Sequence, residues 1–358
     1  MHGKEATPVI LLRIPIQIYP EIFIMQKNIL NQFRTSISRH HESLLEIMNS
    51  DEDKKKYLGQ SDLQEIQNAI SEFKTLLEKI EHEEYGKCVV CDGQVEVERL
   101  EQDCTTNICL DCYSEEQLRQ LERDLELAAK VQKQLLPHCV PSISGVQIAV
   151  MYESAREVGG DYYDFFCMKN GNQGVVIGDV MGKGLPASML MSNLQATLRI
   201  LGPEYKQVEQ LAAHINRLFR YNLKLIRFIS LFLGALDINR REFTYCSAGH
   251  HPALWWQKTA GKRMWLKPTA PAIGLIPDSN FYARTIRINS GDIIVLYTDG
   301  LVEARRKDQE YGEQGLLAFV KQNQLLSAEQ LVAGIWQDNQ NFAGPIQDDK
   351  TLVVLKFD

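Results

Sequence analysis

The 358-residue chain has no apolar run long enough to cross a bilayer, no internal repeat, no low-complexity tract and no surplus of basic residues. A membrane-spanning helix needs about 20 predominantly apolar residues, and residues 9–25 are interrupted by Arg13, Pro15, Pro20 and Glu21. No small-residue cleavage site follows an unbroken apolar stretch there, so a secretory signal is not expected. Met25 directly precedes a polar, helix-like pattern and is a candidate natural start, which would leave 1–24 as an extension. With 39 Lys and Arg against 46 Asp and Glu, the formal charge of -7 gives no electrostatic reason to expect direct nucleic-acid binding. These exclusions point to a cytoplasmic globular protein without membrane contact. The 44% hydrophobic and 24% charged residues agree with that class, and the length predicts more than one domain.

Disulfide frameworks are also disfavoured. Of eight cysteines, Cys104, Cys139, Cys167 and Cys246 are scattered, whereas Cys88 and Cys91, then Cys109 and Cys112, form two C-x-x-C pairs with seventeen residues between them. Two thiolate pairs at this separation close a tetrahedral site with no vacant position, the structural kind of Zn²⁺ site. Cys104 has no such partner and is left out of the ligand set.

Periodicity divides the chain. Apolar residues at Ile29, Phe33, Ile37, Leu44, Leu45 and Met48, then at Leu63, Ile66, Ile70, Phe73, Leu76, Leu77 and Ile80, follow helical spacing on either side of a charged turn around Asp51, Glu52 and Asp53. This predicts a helical hairpin over 25–84, fastened by the zinc finger over 85–113. A connector helix is expected over 114–137, since Ser114 and Gln117 have capping-box spacing and Pro137 ends the run. Its stripe of Leu118, Leu121, Leu125, Ala128, Val131 and Leu135 is close to the heptad rhythm of a packed or self-associating helix. Beyond it, 138–358 reads as a catalytic-sized domain of class α+β. Strands are expected at 146–152, 174–177, 229–236, 243–247 and 293–297, with helices at 186–201, 208–221 and 327–339. Strands that follow strands directly favour antiparallel pairing.

Four aspartates stand at strand ends or turns: Asp161 after two glycines, Asp179 after Ile-Gly, Asp299 before Gly300, and Asp348 beside Asp349. Gathered in one place, four carboxylates repel one another, and hard divalent cations such as Mg²⁺ or Mn²⁺ resolve that conflict. Two such ions about 3.5 to 4 Å apart can share a hydroxide and clamp a phosphoryl group for in-line attack. No Cys-x5-Arg loop supplies a thiol nucleophile, and no Gly-x4-Gly-Lys-Ser/Thr loop cradles a nucleoside triphosphate.

In order, the segments REVGGDYYDFF, VVIGDVMGKGLPASMLMSNLQATLR, FISLFLGALDINRREFTYCSAGHHPALWW, IIVLYTDGLVEAR and QDDKTLVVL resemble the SpoIIE/RsbU branch of the protein phosphatase 2C (PPM) superfamily. The resemblance covers about 125–358. It implies an α-β-β-α sandwich that hydrolyses phosphoserine or phosphothreonine on proteins. By the same resemblance Asp161, Asp179, Asp299 and Asp348, with the carbonyl of Val180, hold two Mn²⁺ or Mg²⁺ ions. Only one of Asp348 and Asp349 should reach the metal, because adjacent strand residues point oppositely. Asp164 is expected to hydrogen-bond locally. Lys183 meets substrate phosphate or is solvated, the second being preferred, and Met181, Met189 and Met191 are expected in the core. His250 and His251 suggest acid catalysis, but by resemblance their segment is a structural turn, in which His251 stands where the common pattern has asparagine. The implied substrate is an anti-anti-sigma protein with a STAS domain, and the implied assembly a homodimer in which the connector relays the state of the N-terminal region. That region, 25–117, is in turn similar to the helical hairpin and zinc finger of the DksA/TraR family. This keeps a second reading open: a regulator bound to RNA polymerase, with the phosphatase-like part a scaffold.

Overall fold

Apolar stripes at helical spacing must be covered, and in the N-terminal part of the chain two of them cover each other. The computed structural model describes residues 20–49, 60–222, 228–276, 279–307 and 309–358, and the chain divides into two compact units, Met1–Cys112 and Tyr113–Asp358. In the first unit, α1 (Pro20–Asn49) and α2 (Gln60–Glu81) pack through Ile37 and Leu44 against Ile66, Phe73 and Leu76, all buried. Helix α1 starts five residues before the expected Met25 boundary, at a proline, a residue that the first turn accepts because its missing N–H would have no intrahelical partner. Leu45, expected on the inner face, is exposed, since its neighbour Leu44 takes the inward position about 100° away. The charged turn with Asp51, Glu52 and Asp53 lies outside the described residues.

The open end of the hairpin is closed by the segment after α2. The Tyr85 ring lies 5.4 Å from that of Phe33, and Cys88, Val95, Leu100 and Cys109 join the same buried cluster. A short helix α3 (Val97–Gln102) and a 3₁₀ turn (Leu110–Cys112) complete this unit.

The second unit opens with α4 (Glu115–Leu135), where Ser114 and Gln117 form the capping box expected from their spacing. The strands are β1 (Val146–Glu153), β2 (Asp161–Cys167) and β3 (Gln173–Val180). Helices α5 (Leu185–Leu201) and α6 (Val208–Asn222) precede β4 (Ile229–Asp237), β5 (Glu242–Ala248), β6 (Ala253–Gln257), β7 (Lys262–Leu266), β8 (Arg284–Arg287) and β9 (Ile293–Tyr297). Then come α7 (Asp299–Val302), a small ribbon of β10 (Arg305–Arg306) and β11 (Gln309–Glu310), α8 (Gly312–Asn323), α9 (Ala328–Ala343) and β12 (Lys350–Phe357). Two five-stranded sheets result, ordered β1-β12-β9-β6-β7 and β2-β3-β4-β5-β8. Among the described residues every pairing between strands of these sheets is antiparallel, as direct strand-to-strand succession suggested.

Strand alternation shows how the layers stack. Along β4, Leu231, Leu233 and Ala235 face the cluster under α5 and α6, while Phe232 and Leu236 face the other sheet. Along β9, Ile293, Val295 and Tyr297 face α8 and α9, while Ile294 and Leu296 meet β4's sheet in the middle. Both faces of each sheet are therefore covered, which is why these strands are apolar throughout, and the architecture is an α-β-β-α sandwich. Each fully buried large apolar side chain contributes roughly 1.5 to 3 kcal/mol. Three such layers hold the strand ends in place even where like charges meet.

Candidate metal centres

Asp161 opens β2 and Asp179 closes β3, and the ladder sets them directly opposite each other. Like charges in that position are destabilising on a sheet. Asp299 opens α7 at the end of β9, and Asp348 precedes β12, so both come from the other sheet. All four sequence-predicted aspartates converge electrostatically. Burial, then the charge of Asp179, pushes the Asp161 carboxyl well above the usual carboxylate range. Burial, then Asp299 and Asp348, pushes Asp179 up to about 8, and burial followed by Asp348 raises Asp299.

Asp161 is fully buried and unequal in its two oxygens. Oδ2 accepts hydrogen bonds from the hydroxyls of Thr298, at 2.7 Å, and Thr351, at 2.6 Å. Oδ1 is buried with no hydrogen-bond partner among the described residues. A buried carboxylate oxygen without a donor is costly, and a hard cation is the ligand this donor set suits. The Val180 carbonyl lies against Gly160, the residue before Asp161, so close that a Cβ there would stand 2.8 Å from that oxygen. The residues present thus fit a divalent-metal centre. Thr298 and Thr351 were missed in the sequence, although each neighbours a singled-out motif, Thr298 before Asp299 and Thr351 after Asp348-Asp349-Lys350.

Asp348 and Asp349 both precede β12, and the two side chains take different partners. Asp349 is buried and accepts from the Ala155 N–H at 2.8 Å and the Gly160 N–H at 2.6 Å, holding the loop before β2. Asp348 stays half-exposed and pairs with the Lys183 ammonium at 2.7 Å. The preferred reading of Lys183 as merely solvated is thereby corrected: the turn after β3 brings it onto a carboxylate of the cluster. Asp164 does bond locally, to the Tyr162 hydroxyl and the Phe165 N–H, but it also pairs with Arg199 of α5 at 2.7 Å.

Of the two histidines, His250 is buried between Ser230 Oγ, at 2.8 Å from Nδ1, and the Tyr297 carbonyl, at 3.1 Å from Nε2. Burial, then His251, lowers its pKa to about 3, so it is a neutral structural element of the turn. His251 stands at the edge of the cluster, with a ring nitrogen and the carboxylates of Asp299 and Glu303 within 4.8 Å of one another. Two of the three methionines expected in the core are outside it. Met189 is 66% and Met181 43% exposed, because one lies on the solvent side of α5 and the other in the turn after β3, while Met191 is fully buried.

The second cluster is made of sulfur. Cys88, Cys91, Cys109 and Cys112 bring their Sγ atoms together, with separations of 3.7 Å between Cys88 and Cys112 and 3.5 Å from Cys109 to Cys91 and to Cys112. A tetrahedron with Zn–S of about 2.3 Å has edges near 3.8 Å, so the cage has the size for that ion. Backbone N–H groups of Val90, Gly93 and Cys109 point at these sulfurs, and the hydrogen bond from Cys109 N–H heads the causes that lower the Cys88 thiol to about 6. Cys104 stays out of the cage, its carbonyl accepting from the Tyr85 hydroxyl.

Comparison with known proteins places this geometry. The family model described as Stage II sporulation protein E (SpoIIE) matches residues 169–358, more than half of the chain. "Phosphoserine phosphatase RsbU" of Bacillus subtilis is 28% identical over 241 residues, 66% of this chain and 71% of that protein. Among solved structures, the RsbU and RsbW domains of Rv1364c from Mycobacterium tuberculosis are 27% identical with a TM-score of 0.54, over 63% of each chain. The SiaA-PP2C domain of Pseudomonas aeruginosa has a TM-score of 0.59 at 17% identity, over 67% of this chain and 98% of its own.

Proposed function

We propose a substrate and a division of labour among residues from one premise: the chain belongs to the SpoIIE family and is a metal-dependent serine/threonine phosphatase of the PP2C type. The observation that carries the site assignment is the buried Asp161 carboxylate, one oxygen held by Thr298 and Thr351 and the other without a donor, facing Asp179 across the ladder. Asp161, Asp179, Asp299 and Asp348, with the Val180 carbonyl, would hold two Mn²⁺ or Mg²⁺ ions. When bound, such a pair supplies a water acidified towards neutrality and charge compensation for the phosphoryl oxygens.

The chain's own residues do the rest. Thr298 and Thr351 fix the rotamer of Asp161, so its free oxygen needs no reorientation as ligand or charge arrives. Asp349 holds the 155–160 loop against the cluster through two backbone amides. Lys183 stands in for a cation on Asp348 and, on the exposed turn, is placed to meet a phosphate when that carboxylate is otherwise engaged. Neutral His250 ties β4 to the end of β9 and takes no proton at neutral pH.

The substrate assignment is a phosphorylated serine or threonine on an anti-anti-sigma protein with a STAS domain, supported by the likeness to RsbU. Cys88, Cys91, Cys109 and Cys112 would hold one structural Zn²⁺, and the free state of all eight cysteines suits a reducing cytoplasm. A second copy of this chain is the partner proposed for α4, whose Leu121, Leu127 and Val131 are exposed. On this reading 25–113 acts as the regulatory part and 138–358 as the enzyme. Among the described residues no helix is long and apolar enough to cross a membrane. The polymerase-scaffold reading gains no support, for the acidic turn behind it lies outside the described residues. Mn²⁺-dependent hydrolysis of p-nitrophenyl phosphate and of a phosphoserine STAS domain tests the proposal. Wild type should turn over both and Asp179→Ala neither, and equal inertness of the two proteins would refute it.

A further inference from the structure

Helix α4 has one buried residue, and it is polar: Gln132, 6% exposed, on the same face as Ala128 and Leu135. A buried amide is costly unless its donor and acceptor are both satisfied. Gln132 satisfies both on a single residue. Its Nε2 donates to the Gly159 carbonyl at 2.6 Å, and the Gly159 N–H donates to its Oε1 at 3.0 Å. Such a two-point amide pairing fixes orientation as well as distance, and it falls on the backbone two residues before Asp161.

The same short loop is held from its other side. Asp349 accepts from Gly160 and Ala155, so the side chains of Gln132 and Asp349 grip consecutive N–H groups, those of Gly159 and Gly160. There is no slack between them: a Cβ at Gly159 would stand 2.7 Å from Asp349 Oδ2 and 2.9 Å from the Tyr152 hydroxyl. Leu136, next to the end of α4, is buried in the core beneath α5 and α6, and the Gln195 side chain of α5 donates to the Leu135 carbonyl at 3.4 Å. Near Gln132 the helix is therefore anchored, while the exposed Leu121 and Leu127 precede that anchor.

We propose that Gln132 is a positioning residue for the metal centre: by pairing with both backbone groups of Gly159 it sets where Asp161 stands, and so sets the affinity of the site for its divalent ions. This inference rests on the two-metal reading of the aspartate cluster. Partners that orient a metal ligand typically change metal affinity 10- to 100-fold when removed. The pairing also makes α4 part of the catalytic unit, so that a displacement of the helix is felt at a metal ligand.

The test uses the full chain with Mn²⁺ alone, its binding read from the electron paramagnetic resonance signal of the free ion, without substrate. Gln132→Met keeps the length and packing of the side chain and removes both hydrogen bonds, whereas Gln132→Ala also removes the packing. Lys133→Ala, an exposed polar position beside Gln132 on α4 and outside the apolar face proposed to pair with a second copy, is the control. Expected for Gln132→Met is about a 10- to 100-fold weaker Mn²⁺ affinity, with the KM for p-nitrophenyl phosphate at saturating Mn²⁺ unchanged within about twofold and the control like wild type. A folded Gln132→Met protein that binds Mn²⁺ as wild type does, or one whose KM rises while its Mn²⁺ affinity holds, overturns the inference alone. A wild type that binds no Mn²⁺ removes the two-metal reading and this inference together.

Discussion

The two candidate metal centres are built in opposite ways. The sulfur cage takes all four ligands from residues 88–112, in a unit whose remaining core is one helix pair and a few residues of the finger. The carboxylate centre takes its ligands from positions 161 to 348, on strand ends of two different sheets stitched together through Asp161, Thr298 and Thr351. A local cage of soft ligands has little scaffold of its own, so there binding free energy is largely folding free energy. The aspartates sit at the edge of a sandwich with three apolar layers, so the fold holds like charges together and the ion relieves them. Metal removal should therefore act on structure at one centre and on chemistry at the other.

The sharpest way to break this contrast is to remove a ligand on each side. Asp179→Ala should lower kcat by at least about 10³-fold, the scale of several kcal/mol of lost charge stabilisation, while the far-ultraviolet circular dichroism stays that of wild type. Cys88→Ser should release one Zn²⁺ per chain in elemental analysis and expose 60–112 to proteolysis, with hydrolysis of p-nitrophenyl phosphate retained within a few fold. If that variant kept its zinc, the ligand set would be wrong. If instead Asp179→Ala unfolded the sandwich, the idea of a self-sufficient scaffold would go.

Smaller effects sharpen the picture. Thr298→Val with Thr351→Val frees Asp161 Oδ2, and the Mn²⁺ concentration for half-maximal rate should rise about 10-fold, more than for either single change. In chelator, burial and the neighbouring carboxylates raise the Asp179 carboxyl to about 8. The neutral form is favoured in the folded state, so the stability Asp179 contributes is present at low pH and is lost as pH rises from the unfolded value near 4 through about 8. The metal-free protein should thus melt a few degrees higher at pH 6 than at pH 8, and saturating Mn²⁺ should flatten that dependence. A metal-free melting temperature that rises with pH over this window would contradict the mutual repulsion of the cluster.

Much of this organisation was legible in the chain. The β9 bounds fall where the apolar run 293–297 put them, and the capping box at Ser114 was readable from one serine and one glutamine three residues on. The sulfur cluster was readable because its spacing is itself the signal. Thr298, Thr351 and Gln132 were not, since a hydroxyl or amide in a strand end or helix is ordinary until its partner is known. The hint at Gln132 was its position, four residues after Ala128 and three before Leu135, on an otherwise apolar stripe. Met189 misled for the converse reason: an apolar residue in an apolar helix need not face inward.

By itself, the order of residues determined many of the elements, the antiparallel class and which cysteines and aspartates come together, because each depends on local spacing or on motifs short enough to survive in one segment. Tertiary structure alone decided that Asp349 holds backbone amides while Asp348 pairs with Lys183, that one oxygen of Asp161 lacks a donor, and that a connector helix reaches the backbone beside it. Those are contacts between segments tens to hundreds of residues apart, and only a packed sandwich, with both faces of each sheet covered, brings them within hydrogen-bond distance.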